Sequence, residues 1–139
     1  LMLVFGIIQF GMVFAQKLAL SNAAREAARL GVVQTPGEAP PTCGEIVDAA
    51  RSRAQTVGMS GGSAVSVEIR QLDDVNSAPT GNALCGDSSN VAVVPCTGST
   101  QTGAIAVTTK FTSSLAIPFS VFVDPLQLDG QGVYRCEYH

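Results

Sequence analysis

The sequence contains no tryptophan and one histidine, and that histidine, His139, is its last residue. Chain ends fray, so imidazole acid–base chemistry has no well-placed carrier. Charge is also sparse: 14% of residues are charged, against about 25% in an ordinary soluble domain. The 8 basic and 11 acidic residues leave a net charge of −3, with no basic footprint for nucleic acid. The hydrophobic fraction is 46%, so this low charge is not the composition of a disordered chain. Motifs are missing as well. Residues 58–63, GMSGGS, lack the Lys-Ser/Thr of a phosphate loop, and no G-x-S-x-G elbow occurs. Asp73, Asp74 and Asp87 lack the spaced ligands of a calcium loop. The chain is therefore expected to be no enzyme, to hold no metal or cofactor and to bind no nucleic acid. With 139 residues it is sized for one core.

What the chain does have is an apolar N-terminus. Residues 1–15, LMLVFGIIQFGMVFA, carry Gln9 as their only strongly polar side chain. As a helix this stretch spans about 22 Å, short of about 30 Å of hydrocarbon. Continuing to Leu20 closes the gap if Gln16 and Lys17 reach the head groups. A single membrane-anchor helix is expected, with a native chain that begins roughly five to fifteen residues before Leu1 if it must span. A buried core helix is the competing reading.

The helix is expected to continue through residues 16–33, QKLALSNAAREAARLGVV, which contain no proline. Lys17, Ser21, Arg25 and Arg29 form a polar stripe, opposite a face of Leu20, Ala23, Ala24, Ala27 and Ala28. Glu26 is placed to pair with Arg29. The alanine face suits close packing, either against the chain's own domain or against neighbouring copies. TPGEAPP at 35–41 ends the helix.

The remainder reads as one α+β unit. Thr42 and Glu45 have capping-box spacing. They open a helix with Ile46, Val47, Ala50, Ala54 and Val57 on one face and Gly58 as its stop. Residues 64–72 and 104–111 alternate as half-buried strands, and 132–138 is a third candidate. Residues 91–95, VAVVP, are expected as an edge strand. Strands joined without helices imply an antiparallel meander, with 73–89 a surface loop.

Cys43, Cys85, Cys96 and Cys136 form no C-x-x-C pair, which argues against zinc and against a redox motif. An even number in a membrane-anchored chain implies disulfides on the oxidising side. Three pairings exist. Cys85–Cys96, which closes the short Gly/Ser/Asn loop, is favoured together with Cys43–Cys136; four reduced cysteines are the alternative.

FGIIQFG at 5–11 and SNAAREAARLG at 21–31 resemble the N-terminal signature of TadE-like proteins. These are pilin-like components of the bacterial Tad (Flp) tight-adherence pilus. VTTKF at 107–111, the proline-containing apolar stretch 117–123, and Arg135 with Glu137 are similar to the family's C-terminal part. Gln9 stands where the family often has Glu. The resemblance implies a pilin-like α+β fold with a long N-terminal hydrophobic helix, a second helix and a small antiparallel sheet. Residues 1–33 would be the transmembrane and filament-core helix, and 34–139 an extracellular disulfide-bonded domain. It further implies a structural subunit inserted in membrane lipid before assembly and exported to a surface pilus. Its partners would be other pilin subunits and the assembly machinery, including a prepilin peptidase. Polymerisation would use Phe5, Ile8, Phe10 and Phe14 for packing area, Gly6 and Gly11 for close approach, and Gln9. A monomeric membrane-anchored binding module or adhesin is the rival function.

Overall fold

The computed structural model describes residues 1–55, 65–87, 89–113 and 125–138. Helix α1, Met2–Val32, is followed by α2, Cys43–Ala54, and by strands β1, Ser66–Leu72, β2, Cys85–Gly86, β3, Ala104–Ser113, and β4, Leu126–Arg135. The class is α+β, as expected. The four strands form one antiparallel sheet in the order β2-β1-β3-β4.

The alanine face of α1 packs on the sheet. Leu20, Ala23, Ala24, Ala27 and Ala28 are all buried, and so are Val67 and Ile69 of β1 and Ile105 and Val107 of β3. All of these except Ala24 form a single cluster with Ile46, Val47, Ala50 and Ala54 of α2. Alanine side chains do not fill the space between helix and sheet; they let the two backbones meet. A Cβ added to Gly130 would lie 2.5 Å from the Leu20 carbonyl, and one on Gly132 would lie 2.6 Å from the Ala24 oxygen. Glycine in a strand often marks such a backbone approach. Between them the buried Thr109 hydroxyl lies 3.0 Å from the Leu20 carbonyl oxygen and 3.3 Å from that of Gly130, its one proton shared.

Helix α2 opens with the capping box. The Glu45 N–H donates to the Thr42 hydroxyl, and the Thr42 N–H donates to the Glu45 carboxylate at 2.7 Å. The Thr42 N–H and the Thr42 hydroxyl both donate to the Glu45 carboxylate, and these bonds to its charged form hold the carboxyl below its usual pKa. The helix ends at Ala54. Val57, Gly58, the apolar stretch 117–123 and His139 lie outside the described residues.

Several expectations are corrected. Residues 91–95 are not an edge strand: the Val93 and Val91 carbonyls accept the Cys43 and Gly44 N–H groups at 2.7 and 2.8 Å. They serve donors that the first turn of a helix leaves without intrahelical partners. The edge strand is β2, inside the expected 73–89 loop, and it lies outside β1, so the sheet is not a simple meander. The last strand begins at Leu126 and leaves the sheet after Arg135, rather than covering 132–138. Glu26 pairs with Arg53 of α2 at 3.8 Å rather than with Arg29. Both favoured disulfides are replaced: Cys43 joins Cys85 and Cys96 joins Cys136. The pairing follows from placement. Cys43 begins α2 beside β2, while Cys96 and Cys136 meet where the chain leaves β4 beside the end of α1. The sequence separations are 42 and 40 residues, which in the chain-entropy picture stabilise by about 4 kcal/mol each.

If the helix and sheet backbones meet at Gly130 and Gly132, Gly132→Ala forces them apart and destabilises by about 1–3 kcal/mol. Gln131→Ala, at the exposed position between, stays within about 0.5 kcal/mol of the parent. Chemical denaturation of both variants measures the contrast.

Candidate functional site

Helix α1 is continuous over 31 residues, about 46 Å, yet it lies in two environments. From Gln16 onward one face is buried in the domain. Before Gln16 no residue is buried. Phe5, Ile8, Phe10 and Phe14 are 44%, 53%, 73% and 55% exposed, with Leu1, Met2, Leu3, Val4 and Ile7 more than half exposed as well. Covering a large apolar side chain of this kind releases about 1.5–3 kcal/mol, so such an arm is not at rest in water. Two of the rings, Phe10 and Phe14, stack on each other at 6.4 Å between centroids.

The sequence-predicted packing residues all lie on the part of α1 before Gln16, distributed around the helix, and none of them is buried. A Cβ on Gly6 or Gly11 would meet nothing within 4 Å. Among the described residues, the close approach those glycines permit is therefore not used. Gln9 is partly buried, on the same side as Val13 and Gln16. The four cysteines, in contrast, are interior parts of the domain, each at most 5% exposed. Packing thus draws its line near Gln16, inside α1, and residues 16–32 share their core with the globular part.

Polar groups mark that line. Gln16 is 3% exposed, and its Oε1 accepts a hydrogen bond of 2.8 Å from the Ser113 hydroxyl at the end of β3. One residue on, the Lys17 ammonium donates to the Asp129 carboxylate at 2.9 Å and to the Asp129 backbone carbonyl. The Lys17 hydrogen bond and charge hold the Asp129 carboxyl below its usual pKa. Neither contact has a sequence signal, because each joins residues about a hundred positions apart.

Two further groups of charged contacts lie on the domain. Glu68 accepts from Arg70 at 3.3 Å and from Lys110 at 3.1 Å on the far face of the sheet. Asp87, expected in a solvated loop, accepts from Arg51, from the Ser66 hydroxyl and from the Val67 N–H, each at 2.8 Å. It ties α2 to the start of β1 and is not a ligand-ready carboxylate. Among the described residues, no group of three or more His, Cys, Asp or Glu is arranged to hold a metal ion.

Residues 1–29 match the family model of TadE-like proteins. The resemblance read in the sequence is thus shown over the apolar arm and most of the docked part of α1, and it is consistent with a TadE-like Tad pilus protein. The similarities at 107–111, 117–123 and 135–137 lie beyond the matched residues. No curated protein and no solved structure gives a significant match to the chain. The TadE-like segment is also the one helix among the described residues that is long and apolar enough to cross a membrane.

The lowered Asp129 pKa gives a pH dependence of definite sign. Its contribution to stability is present above the unfolded value of about 3.9 and is lost as pH falls through the lower folded value. Asp129→Asn should therefore flatten the acid limb of stability against pH. Because the pair is exposed, the loss at neutral pH should be at most about 1 kcal/mol; denaturation series from pH 7 to pH 2 measure it.

Proposed function

We propose that the chain is a pilin-like structural subunit of a Tad (Flp) type IV pilus, held in the membrane by α1 before assembly and packed through the same arm in the filament. The observation that carries this reading is the bare apolar arm of residues 1–15, rigidly continuous with a helix built into the domain, within a TadE-like match. In the membrane, lipid covers the arm. In a filament, neighbouring arms cover it, and the same apolar surface serves both states. Phe5, Ile8, Phe10 and Phe14 supply contact area, and Gly6 and Gly11 admit a neighbouring backbone. The disulfide-bonded domain then faces outward, away from the cytoplasm. The partners are other pilin subunits, membrane lipid and the assembly machinery, including the prepilin peptidase, and the role requires no catalysis.

Gly11→Leu tests this reading, because among the described residues nothing lies within 4 Å of a Cβ at this position. The variant should fold and insert like the parent while entering sheared surface filaments at a fraction of the parent level. Quantitative immunolabelling of filament and membrane fractions reads the outcome. Parent-level filaments would count against packing at this face, and a chain never found in filaments would favour the monomeric membrane-anchored module.

A further inference from the structure

The upper end of α1 lacks the usual means of termination. Its C-cap, Val33, is extended rather than left-handed, so the last carbonyls have no closing turn of their own. Two of their donors come from the other end of the chain. The Glu137 N–H donates to the Val32 carbonyl at 3.3 Å, and the Tyr138 hydroxyl donates to the Gly31 carbonyl at 3.0 Å. Burial raises the Tyr138 pKa, against an opposing hydrogen bond from the Cys96 backbone, so the phenol keeps its proton well into alkaline solution.

Both donors lie within two residues of Cys136, whose disulfide partner Cys96 has its sulfur 3.9 Å from the same Gly31 carbonyl. Gly31 is itself wedged: a Cβ there would lie 2.6 Å from Ile105 Cδ1 and 2.8 Å from Ile46 Cδ1. One point thus joins α1, α2, β3, the turn at Cys96 and the chain's tail. The other disulfide, Cys43–Cys85, joins α2 to β2. The lower part of the docked helix has separate fastenings, at Gly130, Gly132, Thr109 and Ser113.

We propose that the Cys96–Cys136 disulfide is a redox latch on α1: it holds the tail against the helix end, and the last turns of α1 stay seated in the domain only when it is oxidised. Closing the latch removes two protons and two electrons from the Cys96 and Cys136 thiols. They pass to a disulfide oxidant such as glutathione disulfide, which leaves as two thiols. The helix that anchors the chain is then fully docked only after its domain has reached an oxidising compartment.

Hydrogen exchange on the full chain in detergent micelles tests the latch, with the parent oxidised by glutathione disulfide. In Cys96→Ser/Cys136→Ser, exchange over residues 27–32 should rise on the order of ten-fold or more while β1 and β3 keep their protection. In Cys43→Ser/Cys85→Ser the rise should fall in α2 and β2 instead. Tyr138→Phe, which keeps both disulfides, should give a smaller rise in the 27–32 segment. Unchanged exchange at 27–32 in the first variant, or protection lost equally through β1 and β3, would overturn the latch.

Discussion

Everything in this molecule depends on a backbone-to-backbone contact, the place where the backbone of α1 lies on the two glycines of β4. Gly130 and Gly132 carry no side chain to hold Leu20 and Ala24 away, and the Thr109 hydroxyl bridges the gap. This contact fixes the axis of α1 relative to the sheet. Because a helix is stiff over a few turns, it also fixes the direction in which residues 1–15 leave the domain. The arm can be bare and still be well aimed.

The same contact explains how one helix serves two environments. Above Gln16, small residues on one face let the sheet approach and the opposite face stays polar. Below it, large apolar residues extend around the helix, and none is buried by the domain. A helix apolar on all sides needs a surrounding that is apolar on all sides. The change falls within one turn and is marked by the Gln16–Ser113 hydrogen bond and the Lys17–Asp129 ion pair. A polar pair there matches the depth at which lipid would give way to head groups and water.

Much of this was legible in the sequence, for reasons that differ by element. The alanine face of α1, the capping box of α2 and the alternation in β1 and β3 are local patterns, and local patterns survive without knowledge of the fold. The start of β4 was hidden because LDGQG lacks the branched and aromatic residues that mark strands. Its glycines serve the helix above, which is a long-range reason. The disulfide pairing failed likewise, since short loop closure favoured Cys85–Cys96 while the tail folds back on the helix end. VAVVP at 91–95 was misread because its carbonyls serve α2 instead of a neighbouring strand. The arm was readable as apolar and glycine-containing, whereas only the structure showed that Gly6 and Gly11 have no neighbour to accommodate among the described residues.

The central claim is that α1 changes surroundings at Gln16, from lipid or neighbouring helices below to its own domain above. Paramagnetic broadening along the helix, with the full chain in bilayers and one lipid-soluble probe, measures this directly. The account predicts strong broadening from Phe5 to Phe14 that stops at Gln16, with Leu20, Ala24 and Ala27 unaffected. Broadening that continues through Ala24 and Ala27, or none at Phe5 to Phe14, would contradict it.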